Sequence, residues 1–278
     1  MSLFSHSEET FEGRSGTKLF GQAWLPQGAS RAALIIVHGL HDHSSRYSWV
    51  AEQLAKQGYA VYGFDLRGHG KSEGRRQSIE SSQDYVDDLN RFVQIVKRKE
   101  TGKSLFLFGF SMGGTIVGLY ALDNKTEISG VILTAAALKA NRSPIVVGIA
   151  KVLMAAFPNR GALRLHSKDF SRDQNVVAEM DKDPLICKEP VPGRTALWVL
   201  SSGETIQARA GEFDGPLLLL HGTADAIVPV EGSKTFNVNV RSNDKTLMLY
   251  DGFFHDLLHE PEKQTVLNDL SGWLGRHS

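Results

Sequence analysis

Six short apolar runs, most of them ending on a turn residue, constrain this chain more than anything else in it. Residues 32–37 run into His38-Gly39, 59–64 into Asp65, 104–108 into Gly109, and 217–220 into His221-Gly222. Residues 131–134 follow Gly130, and 246–250 end at Asp251-Gly252. Continuous apolar stretches of that length suit strands covered on both faces, as in a parallel sheet. Helical stretches lie between and after them, at 47–57, 82–99, 112–122, 231–238 and 261–274. Strand and helix in alternation predict right-handed crossovers and a mostly parallel, doubly wound α/β sheet. The earlier stretch 18–25 reads as an antiparallel edge strand. In such sheets, sites form outside the carboxyl ends of the strands. His38, Asp65, Ser111, Asp225 and His255 all fall just after a strand or in the loop that follows one.

One interval breaks the alternation. Residues 140–211 contain no core strand and read as mostly helical. The chain is thus expected to divide into a core of 1–139 and 212–278 with a helical cap, or lid, at 140–211. Ser143-Pro144 reads as a helix start, with Ser as the cap and Pro in the first turn, and Pro158 as the stop. The helix between them is apolar almost all round, with Lys151 its one charge, so it must face protein, lipid or an apolar ligand. Packing on the main domain is the plainer expectation. An underside that receives an apolar chain is compatible with it.

Composition narrows the setting. With 41 % apolar and 22 % charged residues, the 278-residue chain can build a substantial core. Lys plus Arg and Asp plus Glu both number 31, so no basic excess draws nucleic acid or anionic lipid. The single cysteine, Cys187, excludes an internal disulfide and a cysteine-based zinc site. Residues 1–14 alternate polar and acidic side chains and lack the apolar stretch of a secretory leader. Residues 145–157 form the longest apolar run, short of the roughly 20 needed to span a bilayer. A reducing, cytoplasmic setting is therefore expected, and the Asn-X-Ser/Thr matches at Asn124 and Asn141 carry little meaning there. The oligomeric state is not readable from the sequence.

The chemistry centres on Gly109-Phe110-Ser111-Met112-Gly113, followed by Gly114, set between an apolar strand and a helix. A nucleophile on so sharp a turn is exposed, and its backbone crowds its neighbours, so the flanking positions must be glycine. The helix beginning at Met112 turns its positive end toward a developing oxyanion. The pattern alone is common in a glycine-rich chain; its partners give it weight. His221-Gly222-Thr223-Ala224-Asp225 follows one strand, and Asp251-Gly252-Phe253-Phe254-His255 follows the next. Asp225 is assigned as the orienting carboxylate and His255 as the general base. Singly these could be a loop cap and a surface histidine; three coincident strand-end placements argue against that. The oxyanion hole is expected from the backbone N–H groups of Met112 and Leu40, each worth about 10²–10³ in turnover.

Three decoys are set aside. Gly68-His69-Gly70-Lys71-Ser72 ends like a phosphate-binding loop, but Asp65 stands where its first glycine belongs. His255 and His259 have the spacing of a zinc protease, yet Asp256 replaces the glutamate and a strand and turn precede them. His41 and His43 are expected to be solvated loop residues and receive no role. No metal or cofactor is expected.

These residues resemble the α/β-hydrolase superfamily, in which the triad follows in the chain order Ser, Asp, His. The likeness extends to monoacylglycerol lipases and related lysophospholipases. It is carried by His38-Gly39-Leu40, by His43-Ser44-Ser45-Arg46-Tyr47, by the run from Phe64-Asp65-Leu66-Arg67-Gly68-His69-Gly70 through Lys71-Ser72-Glu73-Gly74, by the elbow at 109–114, and by the run ending at Asp225. Phe110 departs from it, since many relatives carry His there. The resemblance implies a helical cap after the sixth strand and two-step hydrolysis of carboxylic esters through an acyl-enzyme. The implied substrate is a monoacylglycerol or similar single-chain lipid ester, with transient contact between the cap and a membrane or micelle surface. The rival expectations are a short-chain carboxylesterase, a peptidase of the same fold, and a small-ligand receptor built on the hydrolase fold. Epoxide hydrolase and dehalogenase chemistry would need Asp where this chain has Ser111.

Overall fold

The computed structural model describes residues 3–124, 127–140 and 144–278. In chain order its elements begin with β1 (Phe4–Glu12), β2 (Lys18–Pro26), β3 (Ala33–Val37), α1 (Ser48–Lys56), β4 (Ala60–Phe64), α2 (Asp84–Lys99), β5 (Leu105–Phe110), α3 (Met112–Asp123) and β6 (Gly130–Thr134). The middle holds α4 (Pro144–Ala156), β7 (Gly161–Leu163), α5 (Gln174–Lys182), β8 (Val191–Pro192) and α6 (Gly193–Ala208). The chain closes with β9 (Leu217–Gly222), α7 (Glu231–Asn239), β10 (Lys245–Tyr250) and α8 (Lys263–His277). Eight strands form one sheet in the order β1-β2-β4-β3-β5-β6-β9-β10. Strands β4, β3, β5, β6, β9 and β10 run parallel, while β2 pairs antiparallel with both β4 and β1.

Alternation within the central strands builds two cores. Ile35 and Val37 of β3 and Leu105 and Leu107 of β5 face one side, where Leu89, Phe92, Ile116 and Tyr120 of α2 and α3 meet them. Leu34, Ile36, Phe106 and Phe108 face the other side, against Val50 and Leu54 of α1 and Leu270 and Trp273 of α8. Helix α2 shows the matching logic: Tyr85, Leu89, Phe92, Val93 and Val96 form its buried stripe. Asp84 and Asp87 lie in its first turn and Lys97, Arg98 and Lys99 in its last, each complementing the helix dipole.

Three sequence expectations need correction here. Strand β2 is not the edge: β1 lies outside it, paired over its whole length. Of the residues of β1 only Phe11 is buried, so its sequence lacks the apolar signal of a covered strand. Strand β10 is the edge on the other side and is mostly half-buried, so its apolar run is not covered on both faces.

The third correction concerns α4. It packs chiefly on α6 and reaches the main core mainly through Met154 and Ala150. Its other face is open, with Ile145, Val152 and Leu153 exposed by 76 %, 70 % and 54 %. Lys151 pairs with Glu204 of α6. Ser143, expected to cap this helix, lies outside the described residues, as does Asn141. Among the described residues, 140–211 contributes no strand to the main sheet; β7 and β8 pair antiparallel as a separate small sheet. No described helix is long and apolar enough to cross a membrane.

Candidate active site

The elbow is built by close approach. Ser111 sits at φ 53°, ψ −116°, a left-handed conformation that a serine holds only where its surroundings fix it. Its N–H donates to the Thr134 carbonyl of β6 at 3.0 Å, and its own carbonyl accepts from Thr115 N–H at 3.2 Å. The glycines around it leave no room for a side chain. A Cβ on Gly109 would lie 2.5 Å from the Gly113 carbonyl, and one on Gly113 would lie 2.1 Å from the carbonyl of Val37. A Cβ on Gly114 would lie 2.6 Å from that of Ala136.

Three residues distant in sequence meet at the sheet's carboxyl edge. His255 Nε2 lies 2.9 Å from Ser111 Oγ, and His255 Nδ1 lies 2.7 Å from Asp225 Oδ2. The carboxylate accepts at Nδ1–H, which leaves Nε2 free to accept the serine proton. Asp225 Oδ1 is held in turn by the N–H groups of Ile227 at 2.8 Å and Val228 at 2.9 Å. His255 and His221 hold the Asp225 carboxylate in its charged form, against the cost of burial, so its pKa lies far below the usual range. Phe110 packs on the imidazole at 4.8 Å between ring centroids, and Phe170 meets it edge-on at 5.4 Å.

The loop 38–40 leans on the elbow. A Cβ on Gly39 would lie 3.0 Å from Ser111 Cβ and 3.1 Å from the Phe110 carbonyl. His38 fixes that loop: its Nδ1–H donates to the Gly39 carbonyl at 2.8 Å, and its Nε2 accepts Leu66 N–H at 3.0 Å. Burial lowers the His38 pKa, which suits a ring that must stay neutral to accept. Leu40 and Met112 both line the cavity in front of Ser111. Met112 is the first residue of α3, so its N–H has no intrahelical acceptor.

The remaining predicted residues have other places. Asp65 receives Ser44 N–H and O–H at 2.8 and 2.6 Å and Lys71 N–H at 2.8 Å, so it pins two loops together. The segment 68–72 that mimics a phosphate loop is folded over this carboxylate. His259 does not act alongside His255; its Nε2 bonds the Arg46 carbonyl at 2.9 Å.

His41 and His43 are not solvated. They are buried, because residues of 140–211 cover their loop: His43 Nε2 bonds Asp183 at 2.8 Å, and His41 stacks on Phe170 at 5.9 Å. His221, in the sequence merely a strand end, reaches Asp225 Oδ2 at 3.2 Å. Its four-residue spacing from Asp225 was the one available signal. Phe170 carried none, since nothing local ties it to His255.

In front of Ser111 opens a cavity of about 640 Å³, within the range of small-molecule sites. Its wall is aliphatic, from Val147, Ala150, Met154, Ala196, Val199 and Leu200, while Lys139, Arg164 and Asp169 bring charge to it and His166 an imidazole ring.

A mostly parallel sheet with a serine on the elbow after its fifth strand, hydrogen-bonded to a histidine, defines a serine hydrolase of the α/β-hydrolase fold. The family model described as "Serine aminopeptidase, S33" matches residues 28–262. A monoacylglycerol lipase of Mycolicibacterium smegmatis is 33 % identical over 98 % of this chain and 98 % of its own length. The solved structure of a monoacylglycerol lipase from Paleococcus ferrophilus is 31 % identical, covers 99 % of this chain and all of that one, and superposes with a TM-score of 0.81. A soluble variant of the monoglyceride lipase of Saccharomyces cerevisiae, solved with a substrate analogue, is 26 % identical, with coverage of 100 % and 97 % and a TM-score of 0.86. The chain belongs to this family of α/β-hydrolase serine hydrolases, which includes the monoacylglycerol lipases.

Proposed function

We propose that the chain hydrolyses monoacylglycerols or closely related single-chain lipid esters, with Ser111, His255 and Asp225 as its catalytic triad. The observation that carries this reading is Ser111 Oγ, hydrogen-bonded to His255 at 2.9 Å at the end of a largely aliphatic cavity of about 640 Å³. His255 takes the Ser111 proton as the oxygen attacks the ester carbonyl, and Asp225 holds the imidazole tautomer and stabilises its charged form. The N–H groups of Met112 and Leu40 receive the tetrahedral oxyanion. His255 returns the proton to the departing alcohol, and water then releases the fatty acid by the same route. The side chains present complete this chemistry without a metal or organic cofactor.

The residues 140–211 act as a cap over the core of 1–139 and 212–278. The inner side of α4 supplies Val147, Ala150 and Met154 to the acyl wall. Its outer side, bearing Ile145, Ile149, Val152 and Leu153, makes transient contact with the membrane or micelle that holds the substrate. A cytoplasmic setting suits a chain with one unpaired cysteine.

A chain-length series of p-nitrophenyl esters and monoacylglycerols tests the reading. Turnover should rise or hold from short to long acyl chains; a collapse above short chains would give the chain to the carboxylesterases. The family description favours one second reading, an aminopeptidase. Aminoacyl arylamides turned over faster than esters would establish it. A single burst without sustained turnover would favour a ligand receptor. Ser111→Ala should abolish esterase activity and fluorophosphonate labelling while leaving the fold intact.

A further inference from the structure

The residues on either side of His255 are both held through their backbone N–H by groups that the triad does not use. Phe254 N–H donates to Glu260 Oε1 at 2.7 Å. The Glu260 side chain is fully buried, and its other oxygen accepts from Arg172 Nε at 2.8 Å. Arg172 also pairs with Glu262 and lies 4.6 Å above the ring of Phe253. On the far side of His255, Asp256 N–H donates to the Phe170 carbonyl at 2.8 Å. Ser171 Oγ adds a bond to the His259 carbonyl at 2.8 Å. The Phe170 ring, 1 % exposed, then stands edge-on to the imidazole. Residues 170–172 come from the cap, so three successive cap residues grip the loop that carries the histidine.

We propose that Phe170, Arg172 and Glu260 are positioning residues for His255, and that this part of the cap is a fixed wall of the active centre. The inference rests on the triad assignment above. Proton transfer needs Nε2 within hydrogen-bond reach of Ser111, and a displacement of about 1 Å can cost 10²-fold in rate. The His255 side chain has aromatic rings on two sides, but its backbone sits in a loop after an edge strand, with no sheet neighbour beyond it. The 170–172 segment supplies that missing neighbour. One consequence is that the cap cannot lift as a single body: movement of 170–172 would withdraw a hydrogen bond and a wall from His255.

The test uses Glu260→Ala, Glu260→Gln, Arg172→Met and Phe170→Leu in the full chain, assayed well below their unfolding temperatures. A soluble short-chain ester gives kcat and KM, and a fluorophosphonate gives the labelling rate of Ser111 without any need of the acyl wall. Glu260→Ala and Phe170→Leu should lower kcat and the labelling rate together, by about 10- to 100-fold, with KM nearly unchanged. Glu260→Gln keeps an acceptor for Phe254 N–H and should recover most of that loss. A lower Tm with parent-like kcat and labelling would overturn the proposal, because the clamp would then only stabilise. A rise in KM alone would also overturn it, by placing these residues in substrate binding. If Glu260→Ala does not fold, Phe170→Leu and Arg172→Met decide. Labelling that survives Ser111→Ala would strike the triad assignment itself, not the clamp.

Discussion

His221, near the end of β9, reaches Asp225 in the turn that follows, with His221 Nε2 3.2 Å from the same Asp225 oxygen that receives His255. His221 Nδ1 meets Ser233 Oγ at 2.8 Å, and its Nε2 also lies 3.1 Å from the Val228 carbonyl, so Nε2 is the donor and Nδ1 the acceptor. Asp225 therefore has two histidine donors and two backbone donors, and the buried carboxylate is kept ionised by all of them.

That relationship separates two substitutions. Asp225→Asn should keep the geometry but lose the tautomer control of His255, lowering kcat by about 10⁴-fold. His221→Phe leaves the triad complete but strands the Val228 carbonyl and Ser233, so it should cost ~1–3 kcal/mol of stability. Steady-state kinetics beside denaturant melts would distinguish the two. A loss for His221→Phe as large as that for Asp225→Asn would mean that His221 belongs to the reacting relay.

Glycines at the site are predicted to fail in two different ways. At Gly39 a methyl would press on Ser111 Cβ and the Phe110 carbonyl at 3.0 and 3.1 Å. Small shifts of the loop can absorb that, at the cost of moving the Leu40 N–H. Gly39→Ala should thus lower kcat by about 10²–10³-fold with a modest change in Tm. At Gly113 the methyl would meet two β3-loop carbonyls at 2.1 and 2.5 Å, and no side chain can yield. Gly113→Ala should leave little folded protein, as judged by soluble yield and circular dichroism.

Acid should destabilise the fold through buried neutral histidines before it protonates the carboxylates. Burial lowers the pKa of His38 and His41, and pushes that of His69 down to about 3. In the unfolded chain these rings titrate near 6.5, so below that pH the unfolded state binds more protons and stability falls. The loss approaches ~1.4 kcal/mol per pH unit for His69 between its unfolded and folded pKa values. Asp225, Asp183 and Asp256, whose folded pKa values are depressed, act only below about pH 4. Melting temperature should therefore fall from pH 7 to pH 5, and His69→Asn should flatten that slope. An unchanged slope in the variant would show that His69 is not held neutral.

The outer face of α4 should matter to lipid and not to folding. Ile145 and Val152 are exposed by 76 % and 70 %, so Ile145→Asp and Val152→Asp should change stability by about 0.5 kcal/mol or less. Hydrolysis of a soluble short-chain ester should be unaffected. Activity on emulsified long-chain monoacylglycerol and co-sedimentation with lipid vesicles should both drop. Equal losses on the soluble ester would place these residues in the acyl wall instead.

A feature is legible in the sequence to the extent that its cause lies in neighbouring residues. Strands β3, β4, β5, β6 and β9 were legible because both their faces are buried, so each is an uninterrupted apolar run. Strand β1 was not, because an edge strand with one buried residue carries no such pattern. The elbow was legible because its glycines fall within three residues of Ser111, even though two of them make room for Val37 and Ala136, which are distant in the chain.

What lay beyond the sequence was every fact created by residues 140–211 folding back. The burial of His41 and His43, the ring of Phe170 on His255, and the Arg172–Glu260 bond all join positions far apart in the chain. No period or motif encodes such contacts.

The sequence by itself determined the sheet, the elbow and the order Ser111, Asp225, His255, because a strand buried on both faces leaves an apolar run and the elbow leaves a short glycine pattern. Only the tertiary structure decided how far apart those three side chains stand, which histidines are buried, and which side of α4 lines the cavity and which lies open. Those are matters of distance and burial, and they exist only once the chain has closed on itself.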